Sequence, residues 1–221
     1  MVAEPDSAPA PAADRDTAPR MGACMADEAR YREAIARFDA ANAEDPNQVE
    51  DRGRLRPAEL VYAERMTAWL ARLYPQASEA LSLAARAQHI RRWTLPRNAY
   101  PRDRAGYHRW RNTLKTRHAE LAGEILGQCG YVPEEIARVQ ALIQKQRLKR
   151  DPEAQALEDV VCLVFLDHYF ADFARKHDDE KLIAILRKTW AKMSETGHAA
   201  ALALPLAPDA KALVRRALSQ G

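Results

Sequence analysis

The sequence predicts an all-α protein with one folded domain, and three observations support this prediction. Apolar residues recur every three or four positions from Ala26 onward, which is the spacing of one helix face. The alternation of Val, Ile and Thr that marks strands is absent, and Gly is scarce, with 8 among 221 residues. Hydrophobic residues make up 47% of the chain, which is enough for a single core at this length. We therefore predict a single-domain helical bundle.

The composition also predicts where the folded domain begins and ends. Residues 1–25 are rich in Ala, Pro and Asp and lack periodic apolar positions, so they predict a disordered tail. The all-α domain is predicted over 26–203. Residues 204–221 are predicted to form a C-terminal tail with a short helix at 208–219.

The N-terminal third of the domain predicts two helices joined by a polar loop. The first helix, over about 26–42, uses Tyr31, Ile35 and Phe38 as its apolar stripe. A turn signal follows, and the loop continues to Arg56. The second helix starts at the next residue, because that residue is a proline and the first turn has no need of its missing N–H group.

The second helix is predicted to end before Pro75, and an Ala- and Leu-rich third helix follows over about 76–93. Residues 94–106 contain two prolines and a glycine and cannot form one helix.

Four more helices complete the predicted bundle. The fourth spans about 107–128, and the fifth is opened by Pro133, which two glutamates follow at the positive end of the helix dipole. The sixth, over about 153–175, is apolar on nearly every side in its middle and is therefore predicted to be the buried central helix. The last amphipathic helix covers about 179–193.

Several classes of protein do not fit the composition. No segment reaches the roughly 20 apolar residues of a membrane helix, and the N-terminal residues lack the apolar region of a signal peptide. Three cysteines without a CxxC spacing fit neither a disulfide scaffold nor a zinc finger. GxSxG, GxGxxG and Walker motifs are missing, which disfavours acyl-enzyme and P-loop chemistry. We expect a cytoplasmic protein with no membrane partner.

Four polar residues interrupt apolar stripes, and each comes from a different predicted helix. Burying such groups is unfavourable unless they are paired or bound to a metal. They therefore predict a divalent metal site (Mn, Fe, Zn or Mg) where the helices converge. Taken singly, a histidine on an apolar face is more often a hydrogen-bonded core residue, and each carboxylate also fits the first turn of its helix, where the dipole favours it. The predicted ligands are Glu59, His89, His118 and Asp159.

A second anomaly is the charge distribution between Arg86 and Arg117. This window holds ten basic residues against the single acid Asp103, with four Trp and Tyr residues interleaved. Arginine binds phosphate oxygens and aromatic rings stack on bases, so the window predicts a phosphate-bearing ligand or single-stranded nucleic acid. The alternative is that these arginines pair with acids elsewhere. The predicted substrate-binding residues are Gln88, Arg91, Arg92, Arg97, Tyr107, Arg109, Arg111 and Lys145.

Several segments of the chain resemble the family known as domain of unknown function 4202, over about residues 28–203. Its members are sometimes labelled glutamyl-tRNA synthetase-like, whereas this chain has none of the nucleotide-binding signatures of a synthetase. The segments that carry the resemblance are ELVYAERM (59–66), AARAQHIRRW (84–93), Pro96-Arg97, GYHRWR (106–111), LEDVVCLVFL (157–166) and RKTWAKMS (187–194).

The helix order also resembles, more distantly, the HD superfamily of metal-dependent phosphohydrolases and its oxygenase branch. Glu59 stands where that family has its first His, and Asp159 matches its late Asp. His118 resembles the extra His of two-metal members. Two departures from the pattern are the Glu in the first position and Gln88-His89 in place of the His-Asp pair. The resemblance implies an HD-like bundle with a central cleft.

These observations predict a metal-dependent hydrolase, or an oxygenase, that acts on a phosphate-bearing small molecule or nucleotide. The metal would activate a water molecule, and Glu64 or Glu158 would be the general base. The alternative is a non-catalytic RNA- or tRNA-binding or adaptor protein that uses the segment 86–117. A third possibility is an HD-like fold that has lost its chemistry. The oligomeric state stays open.

Overall fold

The computed structural model describes residues 18–219, with side-chain environments for 27–218, and 72% of the chain is helical. This confirms the predicted all-α, single-domain fold. The α-helices are α1 (Ala18–Ala43), α2 (Ala58–Leu73), α3 (Glu79–Ala87), α4 (Arg104–Gln128), α5 (Pro133–Ile143), α6 (Pro152–Val164), α7 (Phe170–Ala174), α8 (Asp179–Trp190), α9 (Glu195–Leu202) and α10 (Pro208–Ser219).

The two ends of the chain differ from the prediction. Helix α1 begins at Ala18 rather than near residue 26, since Pro19 suits a first helical turn and the next residues are mostly good helix formers. Residues 1–17, which are most of the predicted tail over 1–25, lie outside the described part of the chain. At the other end, the helix predicted over 208–219 is present as α10, but it packs against α8 and buries Leu213 and Ala217, so this segment belongs to the folded unit and is not a tail.

A β-hairpin occupies what the sequence predicts as a polar loop. Strand β1 (Gln48–Asp51) pairs with strand β2 (Arg54–Pro57) in antiparallel register. The connection is Arg52-Gly53, and both residues have positive φ angles, 51° and 75°, as a tight two-residue hairpin turn requires. The hairpin leads directly into α2 and so fixes where that helix begins.

Helix α3 is shorter than the predicted helix over 76–93. It ends at Ala87, and Arg91 adopts a left-handed conformation with φ of 50°. The backbone N–H of Arg91 donates to the buried side chain of Asn42 at 3.0 Å, which stabilises this turn. The chain then continues as two single-turn 3₁₀ helices, Arg92–Thr94 and Arg97–Ala99, which confirms that residues 94–106 do not form one helix.

Helix α6 is the centre of the bundle, as predicted. It packs against α2, α3, α5 and α9, and buries Leu157 and Leu163 completely. The predicted single helix over 153–175 is instead α6, a π-helical turn at Phe165–Tyr169, and α7. A π turn inserts an extra residue into the helix and is frequent at functional sites.

Within residues 18–219, no helix combines the length and the apolar character that a membrane span requires.

Candidate functional site

A cavity of about 450 Å³ opens beside α6, between α2, α4 and α8. The turn after α3, Lys145 in the turn after α5, and the π turn complete its walls. This volume lies within the range of small-molecule sites. The lining residues are Ala58, Glu59, Tyr62, His89, Arg92, Tyr107, Trp110, Arg111, Lys145, Glu158, Val161, Cys162, Phe165, Tyr169, Ile185, Thr189 and Lys192.

The walls of this central cavity carry more positive than negative charge. Four cationic side chains line it, and they come from four different parts of the chain: Arg92, Arg111, Lys145 and Lys192. The carboxyl groups are those of Glu59 and Glu158. Because each basic residue arrives from a separate element, the charge excess is produced by the fold and not by a local run of sequence.

Lys145 and Glu158 form a buried ion pair at the cavity wall. The exposed fractions of their side chains are 9% and 4%, and the Lys145 ammonium group donates to Glu158 Oε2. Lys192 lies 3.9 Å from the other carboxylate oxygen. Burial opposes ionisation of Glu158, but the attraction of the two lysines prevails and lowers its pKa. Glu158 is therefore a carboxylate at neutral pH and a weak base.

Lys145 also has an unusual backbone conformation. It follows the end of α5 with a φ of 58°, and Arg147 has a φ of 54°. Left-handed conformations are unfavourable for residues with a Cβ atom, and they concentrate at functional sites. The strained turn places the Lys145 side chain on Glu158 instead of continuing the helix into solvent.

Glu59 lies on the opposite wall and titrates near neutrality. Burial raises its pKa to about 7, with a further contribution from Asp45, although Arg92 acts in the other direction. The nearest approach of Arg92 is 3.8 Å, between its Nε and Glu59 Oε1. A carboxyl group with this pKa can both accept and donate a proton at physiological pH.

His89 stands next to Glu59, with 3.4 Å between its Nδ1 and Glu59 Oε2. Its ring stacks on that of Tyr62, and the two ring centres are 4.0 Å apart. Burial, and then the positive charges of Arg92, Lys145 and Arg111, hold the pKa of His89 well below its usual range. His89 is therefore a neutral imidazole at the cavity.

His118 lies behind His89, with 5.8 Å between the ring centres. It is buried, and burial together with the neighbouring His89 holds its pKa well below the usual value. One ring nitrogen bonds the backbone of Gln88, whereas its Nε2 has no hydrogen-bond partner among the described residues. The structure thus brings three of the four predicted metal ligands into one region.

Asp159, the fourth predicted ligand, is a structural residue, and the prediction that it faces the cavity is wrong. Its fully buried carboxylate accepts hydrogen bonds from the Tyr74 hydroxyl at 2.7 Å and from the Ser194 backbone N–H at 2.7 Å. The Ser194 hydroxyl and the Gln155 side chain donate to the same group. Since Asp159 holds α6 against the start of α9, its oxygen atoms are already occupied.

Glu64, one of two predicted general bases, also lies elsewhere. Both of its carboxylate oxygens accept hydrogen bonds from Arg56, at 2.6 and 2.8 Å, and it lines a different cavity near Asp167. The prediction that it serves the central cavity is wrong, because successive turns of α2 rotate Glu64 away from the face that carries Glu59 and Tyr62. Glu158, the other candidate, does line the cavity.

The predicted substrate-binding residues separate into two groups. Arg92, Tyr107, Arg111 and Lys145 line the central cavity. The other four do not line it, and the prediction is wrong in placing them together with the first group. Arg91 pairs with Glu44 at 2.5 Å, Gln88 is buried, Arg109 is exposed, and Arg97 donates to the backbone oxygens of Tyr100 and Pro101.

An adjoining cavity of about 520 Å³ shares Ala58, Glu59, Arg92 and Trp110 with the central one. The side chain of Arg92 lies over the Trp110 ring at 4.8 Å, so this pair stands between the two cavities. The rest of the adjoining cavity is mainly apolar and aromatic. Its further lining residues are Asp45, Pro46, Asn47, Trp93, Leu95, Pro96 and Arg97.

Sequence reasoning missed Tyr62 and Lys192 as lining residues. For the α6 wall of the cavity a sequence signal was available. Glu158, Cys162 and Phe165 follow one another at spacings of four and three residues, which places them on one helical face. Asp159 is rotated by about 100° from Glu158 around the helix axis and points toward Tyr74 and Ser194 instead of the cavity. Lys192 follows α8 and has no periodic signal, because its place depends on how α8 packs.

The donor set at the cavity does not fit the predicted metal centre. Among residues 27–218, no group of three or more His, Cys, Asp or Glu side chains is arranged to hold a metal ion. Of the predicted ligands, Glu59 and His89 line the cavity, and two side chains are fewer than the three or four protein ligands of zinc sites.

Fold and site together define an all-α protein with a cationic, aromatic-lined central cavity. The sequence matches the model of the family described as domain of unknown function (DUF4202) over residues 32–214. The chain therefore belongs to this family, which confirms that resemblance. No curated protein and no solved structure matches the chain. The more distant resemblance to the HD superfamily stays a prediction.

Proposed function

We propose that the protein binds a phosphate-bearing small molecule or nucleotide in the central cavity and hydrolyses its phosphate ester. The excess of positive charge in the cavity carries this proposal. Glu158 neutralises one of the four cations, and Glu59 with a pKa of about 7 neutralises about half of another near neutrality. A phosphate monoester carries a charge of about −1.5 to −2 at neutral pH and so complements what remains.

Phosphate-ester hydrolysis needs cations that bind the phosphate and a group that accepts a proton from the attacking water, and the cavity supplies both. Arg92 and Arg111 offer planar donor pairs that match phosphate oxygens, and Lys145 and Lys192 offer point charges. These groups stabilise the charge on the transferring oxygens. The aromatic rings of Tyr107 and Trp110 offer surfaces on which a base can stack.

In the proposed reaction a water molecule attacks phosphorus and the bond to the ester oxygen breaks. Glu59 accepts a proton from the water, the departing oxygen takes a proton from solvent to become an alcohol, and Glu59 releases its proton to solvent, so that ester and water yield alcohol and inorganic phosphate. Neutral His89 beside Glu59 is positioned to hold the carboxyl group in place. Glu59 therefore replaces Glu64 and Glu158 as the proposed general base.

Calorimetric titration with inorganic phosphate and with nucleoside monophosphates tests the binding step. We expect Arg111→Gln to weaken binding about tenfold, because a charge-assisted hydrogen bond is lost. Arg109→Gln is the matched control, since Arg109 lies on the same helix but is exposed and lines none of the cavities described above. Equal effects of the two substitutions, or no binding to the unsubstituted protein, would refute the proposal.

A phosphate-release assay with nucleoside monophosphates tests the hydrolytic step separately. We expect Glu59→Gln to abolish turnover while phosphate still binds, because glutamine cannot accept a proton. Turnover that is unchanged in Glu59→Gln would remove Glu59 as the general base.

A further inference from the structure

One face of α4 carries a stripe of basic residues that extends the charge of the cavity outward. The stripe consists of Arg104, His108, Arg111 and Lys115, with spacings of four, three and four residues. Residues at these spacings lie above one another on a helix. The first two are exposed and the last two are half-buried, and Arg111 lines the cavity. The stripe therefore leads from solvent to the cavity.

The charge of this α4 stripe is not neutralised by ion pairs. None of its four residues forms a salt bridge with a carboxylate in the described part of the chain. By contrast, Arg86 and Arg91 earlier in the same basic window are paired with Asp39 and Glu44. Burial, and then the positive charges of Lys145 and Arg111, lower the pKa of Lys115.

The length of the stripe exceeds what one phosphate group can contact. Arg104 and Lys115 are separated by ~16 Å along the helix axis at 1.5 Å per residue. Tyr107 stands beside the stripe with 41% of its surface exposed, and its ring is 6.0 Å from that of Trp110. A line of basic residues next to an exposed aromatic ring is an arrangement that suits single-stranded nucleic acid.

We infer that the ligand of the cavity is the phosphorylated end of a single-stranded nucleic acid, whose backbone follows the α4 stripe. The inference rests on the proposed function and narrows its substrate from nucleotides in general to a strand end. The terminal phosphate binds the cations of the cavity, and the preceding phosphates contact His108 and Arg104. The ester bond to be hydrolysed is then the one that joins the terminal phosphate to the strand.

Fluorescence anisotropy with short oligouridylates, phosphorylated at the 5′ or the 3′ end, tests the inference against uridine monophosphate as competitor. We expect one of the oligomers to bind at least tenfold more tightly than the mononucleotide. Arg104→Gln should weaken the oligomer several-fold, leave the mononucleotide unaffected, and reduce the salt dependence of oligomer binding by about 0.7 in the log–log slope.

Arg109→Gln and Arg117→Gln serve as matched controls, because both residues are exposed and lie ~140° around α4 from the stripe. The inference would be overturned if neither oligomer bound more tightly than the mononucleotide, or if Arg104→Gln and Arg117→Gln weakened oligomer binding equally. Either result would leave the proposed function standing. If polyglutamate displaced the labelled oligomer as effectively as unlabelled oligomer does, the assignment to nucleic acid would be overturned. If neither oligomer nor mononucleotide binds, the proposed function fails as well.

Discussion

Glu59→Gln should make the protein more stable above neutral pH while it removes the proposed general base. Burial disfavours the carboxylate form of Glu59 and raises its pKa to about 7, from an ordinary value of 4.5 in the unfolded chain. Between these two values the folded state binds more protons than the unfolded state, so the stability of the unsubstituted protein falls as pH rises. A neutral glutamine avoids this loss.

The size of the effect follows from the two pKa values. Each tenfold difference in an acid constant is worth about 1.4 kcal/mol, so the burial of ionised Glu59 destabilises the folded state by about 3 kcal/mol. The whole amount is present above the folded pKa and disappears below the unfolded one. At about pH 8, above the ordinary histidine pKa, His89 and His118 with their lowered pKa values are neutral in the folded and in the unfolded state, so they do not affect the comparison there.

Urea denaturation of both proteins at about pH 5 and about pH 8 measures this difference. We expect Glu59→Gln to be more stable by about 3 kcal/mol at the higher pH and by less than about 1 kcal/mol at the lower. A stability difference that does not change with pH would show that Glu59 is not a buried group with a raised pKa. The reasoning that makes it a general base at neutral pH would then be refuted.

Three further changes have expected outcomes. Asp159→Ala should lower the unfolding free energy by about 3–5 kcal/mol, because it leaves several buried donors without an acceptor, and should leave phosphate affinity of the folded protein unchanged; a selective loss of binding in calorimetry would contradict this. Lys145→Met should cost about 3–5 kcal/mol in urea denaturation, and adding Glu158→Gln should recover most of it, whereas additive losses would count against a coupled pair. Elemental analysis of protein purified without added metal should find zinc, iron and manganese well below one equivalent; a stoichiometric ion that His89→Ala removes would restore the metal prediction.

Hydrophobic periodicity predicted most of the helices, but not the elements that depend on distant contacts. The strands β1 and β2 are short and polar, so they carry no alternation signal, and their pairing depends on the Arg52-Gly53 turn. The early end of α3 depends on the side chain of Asn42, which is far away in sequence. Neither feature follows from the spacing of apolar residues.

The same limit explains which site residues could be predicted. Glu59, His89 and Asp159 gave one signal, a polar group on an apolar stripe, because burial requires every such group to find a partner. The partners of Asp159 come from the end of α2 and the start of α9, where Tyr74 and Ser194 satisfy it. A sequence pattern indicates that a group is buried, but only the packed structure distinguishes a satisfied residue from one that faces a cavity.

The Lys145–Glu158 pair is a feature that the stability of the fold alone does not explain. A buried ion pair contributes little to folding, and apolar residues of similar volume are often as stable in its place. Here the pair also requires a residue with positive φ after α5, which adds backbone strain. Arg92, Arg111 and Lys192 lie on the same cavity and repel Lys145, so their grouping is unfavourable without an anion. In the proposed function, the phosphate attracts all four of these cations at once and so offsets their mutual repulsion.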